Sequence, residues 1–333
     1  MSGLFVQKHV EAVRAQGVDV RVIHSQTWRD IWRQWRAIRR EGWMPDVVQL
    51  NVIQKQGLLA LWLKKRYHIP FAIIEHWSGY LPENGQFMRM APSKRRLYIR
   101  LAEEAAVLLT VSRRHADAMR ECGIRAQRWE LIRNVVDDFF YTPVDIPPFR
   151  DSAQKNILHI SCFDERAKNV KGLLRAAKSL SGKRRDWCLT LVGTGVDYED
   201  VRRFADTLDI PHDQLRWTGE LTPQQVAGEF DKADFFVLPS NYENAPVVLS
   251  ESLVKGVPVI ATRVGGIPEM VNEQCGVLVT PGDENELAQA MENMLDNCRT
   301  FDRNRIRQAG EPYSYAAVGA QLKALYETLA VRS

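Results

Sequence analysis

Two glutamates eight residues apart, Glu243 and Glu251, mark the best-defined chemistry in this 333-residue chain. They lie in NYENAPVVLSESLVKGVPVIATRVGGIPEM, residues 241–270. Phe235–Pro239 reads as a strand. A loop carrying Glu243 follows, and a helix containing Glu251 opens near Pro246. Asn244, Ala245, Pro246, Val247 and Val248 then form the mouth of a helix N-terminus, where backbone N–H groups favour an anion such as phosphate. Two carboxylates beside that mouth suit sugar or ribose hydroxyls. On spacing alone, a capped surface helix with solvated glutamates fits equally well. Lys168 and Lys171, in DERAKNVKGLL, offer point charges to phosphate at the start of a helix. His76 closes the apolar run of FAIIEH, where a lone histidine is more often a hydrogen-bonded structural residue.

These residues need a scaffold, and the second half of the chain supplies a regular one. Apolar runs at 157–161, 188–193, 215–218, 235–239, 257–262 and 277–280 alternate with helical stretches at 170–181, 197–208, 223–231, 246–255 and 284–297. That alternation predicts a doubly wound parallel sheet. Thr222, Pro223 and Gln225 predict a capping box, and Asp283 with Glu286 repeats it. Lys255-Gly256 before Pro258 stops a helix. The first half is less regular. Strands are expected at Val18–His24, Asp46–Asn51, Phe71–Glu75, Val107–Val111 and Trp129–Ile132, and helices at 3–16, 55–66 and 94–106. The proline-dense Pro143–Pro148 reads as a linker. Because the chain opens on a helix rather than a strand, a first strand is expected to be missing. The other reading is a domain that begins with a helix.

Composition narrows the function classes. Net charge is +4, but residues 1–150 carry 24 Lys and Arg against 15 Asp and Glu, and the remainder 21 against 26. A basic first half suits nucleic acid, a membrane surface or a phosphorylated substrate. Five cysteines without a CxxC pair predict reduced thiols and a cytoplasmic setting. There is no G-x-x-x-x-G-K-[ST], no G-x-S-x-G and no Asp-any-Asp triplet, and the seven histidines lack ligand spacing. Gly193-Thr194-Gly195 is only a partial G-x-G.

The 241–270 stretch closely resembles the donor-binding signature of the retaining glycosyltransferases of family 4. Glu243, Glu251, Pro258–Thr262, Gly265, Gly266, Pro268 and Glu269 all match. The resemblance implies the GT-B architecture, two Rossmann-like doubly wound α/β domains facing a crevice. The N-terminal domain, truncated at its first strand, would span 1–146 and bind the acceptor. The donor domain would span 147–315, and a C-terminal helix at 316–333 would pack back toward the first domain. His159–Leu174 resembles the family's first donor-domain strand and its Lys-Gly segment. There Lys168 is the better match for the diphosphate-binding lysine and Lys171 the alternative. Gly193, in 191–195, and Gly219, in 217–221, fall in segments resembling loops that flank the nucleotide base. Gly3 matches the first glycine loop and His76 the acceptor-side histidine.

The resemblance further implies a metal-independent, retaining hexosyl transfer from a nucleotide-diphosphate sugar, with no cofactor. Glu251 would hold the ribose, Glu243 and His76 the transferred sugar, and Lys168 the leaving diphosphate. The acceptor would be a glycan or lipid-linked molecule in cell-surface glycan synthesis. Two departures stand out: Asn244-Ala245-Pro246 replaces the usual Gly-Phe-Gly, and Cys162 stands where an arginine is common. A GT-B nucleotide-sugar epimerase and a non-catalytic, degenerate nucleotide-sugar binder are the rival readings.

Residues 28–40, WRDIWRQWRAIRR, place Trp28, Ile31, Trp32, Trp35 and Ile38 on one helical stripe, with Arg29, Arg33, Arg36 and Arg40 largely off it. That pattern suits a helix lying peripherally on an anionic membrane face, or one docked on its own domain. Nucleic acid is not expected as a partner, since no recognised motif accompanies the arginines.

Overall fold

The computed structural model describes residues 2–142, 149 and 152–331, with side chains from residue 5 onward. The expected linker Pro143–Pro148 lies outside the described residues. In chain order, the first elements are α1 (Ser2–Ala15), α2 (Trp28–Arg40), β1 (Val48–Asn51), α3 (Gly57–Tyr67), β2 (Phe71–Glu75), α4 (Pro92–Glu104), β3 (Val107–Thr110), α5 (Arg113–Glu121) and β4 (Trp129–Leu131). There follow β5 (Lys155–Ile160), α6 (Glu165–Lys168), α7 (Val170–Ser181), β6 (Trp187–Val192), α8 (Tyr198–Thr207), β7 (Leu215–Gly219), α9 (Pro223–Phe230) and β8 (Phe235–Leu238). The chain ends in α10 (Val247–Val254), β9 (Val259–Thr262), β10 (Gly276–Val279), α11 (Glu284–Asn297), α12 (Arg303–Gly310) and α13 (Tyr315–Ala330).

Two compact units result: Met1–Val135 with Tyr315–Ser333, and Val136–Ser314. The division falls upstream of residue 146. Val136 and Phe140 join the second unit's core, and the Val136 N–H donates to Tyr313 O at 2.9 Å. The Tyr141 hydroxyl donates to Gly310 O at 3.0 Å. In the first unit, α13 buries Val318, Leu322, Leu325 and Leu329 in one cluster with Ala12 and Val13 of α1.

Among the described residues every strand pairing is parallel. The first unit has a four-stranded sheet in the order β1-β2-β3-β4, and the second a six-stranded sheet in the order β10-β9-β8-β5-β6-β7. Parallel sheets are covered by helices on both faces, so their strands are apolar throughout. Accordingly β2, β3, β8 and β9 are buried at every residue. The Thr222–Gln225 capping box is complete. At α11, Asp283 accepts the Glu286 N–H, but Glu286 takes the Thr280 N–H (2.7 Å) instead of closing the box.

Val18–His24 is not a strand. Three of its apolar residues do face inward: Val18 and Val20 pack on the α1–α13 cluster and Ile23 on the cluster of Ile31 and Trp35, while Val22 is exposed. Side chains occupy its backbone, however. Arg14 donates to Val20 O (2.8 Å), and Gln34 bonds both the N–H and the carbonyl of His24. Alternating burial here reflects packing without a ladder. The α2 stripe also turns inward. Ile31 and Trp35 are buried with Leu59, Leu63 and Ile69, and Trp28 and Trp32 pack against them. Arg29, Arg33, Arg36 and Arg40 remain exposed.

Candidate functional site

In the second unit the strand order reverses between β5 and β8, since the chain runs from β5 to β6 and β7 on one side and from β8 to β9 and β10 on the other. Loops leaving the carboxyl ends of such strands part and leave a ligand crevice. Across this reversal stands an ion pair. Lys168 Nζ, from the loop and short helix after β5, donates to Glu243 Oε1 in the loop after β8. Ser240 Oγ donates to the same oxygen at 2.8 Å. Oε2 takes no hydrogen bond from the described residues, and Lys168 retains two further N–H donors. Burial works against the Lys168 charge, but the Glu243 carboxylate outweighs it, and the ammonium is held above its ordinary pKa.

Local geometry explains why Lys168 and not Lys171 enters the crevice. Asn169, at φ 50°, breaks the helix between them in the left-handed conformation. Lys171 starts the next helix and turns to Asp200 of α8. The two crevice loops are also tied directly. The Asn241 N–H donates to Ala167 O at 2.8 Å, and the Asn241 amide to Arg166 O at 3.0 Å.

Glycine is required at two places on this rim. Gly265 has φ +52°, and a Cβ there would overlap the Glu243 carbonyl oxygen. Gly193 has φ +117°, and its Cβ would overlap Ser161 O. The Gly193 N–H donates to Gly219 O at 2.8 Å, which joins the two segments expected to flank a base. Phe163, Tyr198 and Trp217 pack beside them, with Phe163–Tyr198 centroids 5.1 Å apart. Beneath the rim, His159 is fully buried between Val237 O and Ser161 Oγ, each at 2.9 Å. Burial pushes its pKa down to about 4.

Pro246 is the N-cap of α10 and makes no side-chain cap hydrogen bond, and Asn244, Ala245, Val247 and Val248 flank this helix start. Asn244 is buried, and Glu251 is half-buried in the second turn of α10. Cys162 is half-buried beside Lys168, and all five cysteines are free thiols. Among the described residues, no three of His, Cys, Asp and Glu come together as metal ligands.

The first unit gathers a different set at the ends of its strands. His76 follows β2, and its ring lies between those of Phe5 and His9, each centroid 5.5 Å away. The Asn134 side chain is in hydrogen-bond range of His76. Burial, then the neighbouring His9 and His115, hold the His76 pKa down to about 3, so the ring is neutral. Gly3 is not in a loop: the helix α1 runs through it. Sequence reasoning missed Glu75, His9 and His115. The signal available was a five-residue apolar run ending in an acid, since a charged residue on a doubly buried strand needs partners.

Residues 3–138 match Glycosyltransferase Family 4, and residues 154–297 match Glycosyl transferases group 1. The chain belongs to glycosyltransferase family 4. This family-4 chain is 30% identical over 240 residues to the MMP alpha-(1->4)-mannosyltransferase of Mycolicibacterium hassiacum, covering 70% of itself and 56% of that relative. It therefore spans little more than half that relative's length. Its fold is GT-B. Sucrose-phosphate synthase from Thermosynechococcus elongatus superposes with TM-score 0.75 at 20% identity, covering 100% of this chain and 94% of the other. Anabaena HepE in complex with UDP-glucose superposes with TM-score 0.71 at 18% identity, covering 96% and 88%. No described helix is long and apolar enough to cross a membrane.

Proposed function

We propose that this family-4 chain transfers a sugar, with retention, from a nucleoside-diphosphate sugar to an acceptor hydroxyl. The observation that carries this reading is the Lys168–Glu243 pair standing across the strand-order reversal. The leaving diphosphate gathers negative charge as the glycosidic bond breaks. Lys168 and the N–H groups at the start of α10 meet that charge with groups already in place. Glu243, with one oxygen uncommitted, orients the sugar and stabilises positive charge on its ring. Glu251 takes the ribose hydroxyls, and His76, a neutral ring, hydrogen-bonds the transferred sugar. The complex of HepE with UDP-glucose supports a nucleotide sugar as the donor class. Because Lys168 and amides do this work, transfer is expected to persist in excess chelator. Complete loss restored by manganese or magnesium would overturn the metal-independent reading. The primary test is nucleotide-sugar binding by thermal shift, since a ligand that binds only the folded chain raises its apparent stability. No shift with any member of a panel including UDP-glucose would sink the donor assignment.

We place the acceptor, a glycan or lipid-linked molecule, at an anionic membrane face in cell-surface glycan synthesis. The support is the exposed arginine row of α2, with exposed Leu58, Trp62 and Tyr67 on α3. Trp62 packs edge-on against Trp32 at 5.1 Å, so the two helices share one surface. Each basic residue near such a face adds about 1 kcal/mol of attraction. Co-sedimentation with anionic vesicles, weakened by salt and by reversing Arg29, Arg33, Arg36 and Arg40 to glutamate, is expected. Equal recovery with neutral vesicles would overturn it.

A further inference from the structure

We propose that Glu75 is a positioning residue for the His76 loop: its buried carboxylate ties the β1–α3 loop to the β2–α4 loop and so sets where the His76 ring stands. The inference rests on the proposed sugar transfer only in taking His76 to act on the sugar.

The Glu75 side chain is fully buried, and no Lys or Arg among the described residues pairs with it. A buried carboxylate without a cation is costly unless hydrogen bonds compensate. Here three backbone N–H groups do so. Oε1 accepts from His76 (3.0 Å) and Trp77 (2.9 Å), and Oε2 from Ile53 (2.9 Å), with the Tyr80 hydroxyl at 3.4 Å. Only an ionised carboxylate offers acceptors at both oxygens and no donor to clash.

Each loop it holds needs holding. Val52, next to Ile53, is a β-branched residue at φ 66°, a conformation that persists only where its surroundings enforce it. The Val52 N–H donates to Ile74 O (2.8 Å), and the Ile53 N–H to Glu75 secures the following residue. On the other side, Trp77 is gripped at both ends of its peptide units. Its N–H goes to Glu75, and its carbonyl lies 3.0 Å from His115 Nε2, a contact that assigns the neutral ring the tautomer protonated at Nε2. His76 lies between these fixed points.

The titratable groups around Glu75 are His76 and Tyr80 from its own loop and Tyr98 from α4, with His9 from α1 and His115 from α5 against His76, and Cys122 against Tyr80. Burial pushes the three histidines down, His76 to about 3 and His115 to about 4, and the two tyrosines and the thiol up, so each is held toward its neutral form. Burial, against the three N–H bonds, raises Glu75 to about 7. Protonation puts a donor among donors, so a bond to one of the two loops weakens and the His76 ring shifts.

The test is the imidazole nitrogen–proton spectrum of the full ¹⁵N-labelled chain from pH 5.5 to 8.5, with nucleoside-diphosphate release from UDP-glucose read alongside. In wild type the His76 ring signals should move with a midpoint near Glu75's pKa of about 7 while keeping a neutral pattern. Glu75→Gln should abolish that transition. Tyr80→Phe keeps the ring but removes a donor to the carboxylate, and should move the midpoint to higher pH; it serves if Glu75→Gln fails to fold. His76 signals that do not move in wild type, or that move identically in both variants, would overturn the proposal. His76→Ala tests the underlying reading by itself: unchanged release would sink the role of His76 while leaving the spectral result to decide on Glu75.

Discussion

The two units solve the same electrostatic problem in opposite ways. In the second, the half-buried acid Glu243 is answered by a cation, Lys168, across the strand-order reversal. In the first, the buried acid Glu75 is answered by backbone amides, and the rings around it are held neutral. An ion pair at a strand-order reversal can be opened by an anionic ligand that takes the lysine. An amide-bound carboxylate has nothing to exchange, so it is fitted to hold loops still. The difference teaches that burial of charge alone does not mark a binding group; the kind of partner does.

Acidification should separate the units most strongly. A buried histidine whose folded pKa is depressed binds its proton first in the unfolded chain. Stability is therefore lost as pH falls below about 6.5 toward the folded value, by about 1.4 kcal/mol per pH unit for each group. The first unit carries three such residues, His9, His76 and His115, lowered in the last two to about 3 and about 4. Glu75 opposes them, because the folded chain holds its proton up to about 7. The second unit has His159 alone, lowered to about 4. Between pH 6.5 and 5 the first unit should lose protection in hydrogen exchange more steeply than the second. Loss in the reverse order would break the comparison.

Weakening the proposed donor crevice at two of its residues comes next. Lys168→Ala and Glu251→Ala should each weaken nucleoside-diphosphate binding by about 1.5–3 kcal/mol, one to two decades, as a charge-assisted hydrogen bond is lost. Calorimetry of both variants with UDP, UDP-glucose and other members of the panel reads this directly. Unchanged affinity in both would remove the donor site from this crevice. Gly265→Ala reaches the Lys168–Glu243 pair without touching a ligand. The added methyl meets backbone at Glu243, not a flexible side chain, so the loop itself must move. About 1–3 kcal/mol of stability should go, together with donor affinity. Gly17→Ala is the control, with φ +82° but open space around it; it should cost stability and leave binding intact.

Legibility in the sequence divides along the same line. The second unit's strands are continuous apolar runs because its parallel sheet is covered on both faces, and the 241–270 signature is local. In the first unit the site is assembled from distant pieces. His9 Nε2 lies 3.3 Å from Arg133 O and His115 Nε2 3.0 Å from Trp77 O, over separations no spacing rule reports. The Val18–His24 run has strand composition and strand alternation, yet its backbone groups go to Arg14 and Gln34. The tryptophan stripe shows the limit of periodicity: it gave the helix and its apolar face, but what covers that face is Leu59, Leu63 and Ile69 from α3 and beyond.

The smallest effect is the sharpest check on which lysine serves. Lys168 and Lys171 are separated by one turn of sequence, and both lie in the segment that resembles the family's phosphate-binding lysine. The left-handed Asn169 sends them in different directions. Lys171 pairs with Asp200, whose side chain is about half exposed, and its ammonium also lies 5.4 Å from the Phe204 ring. Such exposed pairs contribute little to stability and are screened by salt. Lys171→Ala should therefore lower thermal stability only slightly, less so in high salt, and leave nucleoside-diphosphate affinity within about twofold of wild type, well inside the decade that corresponds to about 1.4 kcal/mol. A tenfold loss of affinity in Lys171→Ala, with Lys168→Ala unaffected, would mean that the bound donor draws the second lysine into the crevice and that the Lys168–Glu243 pair is packing.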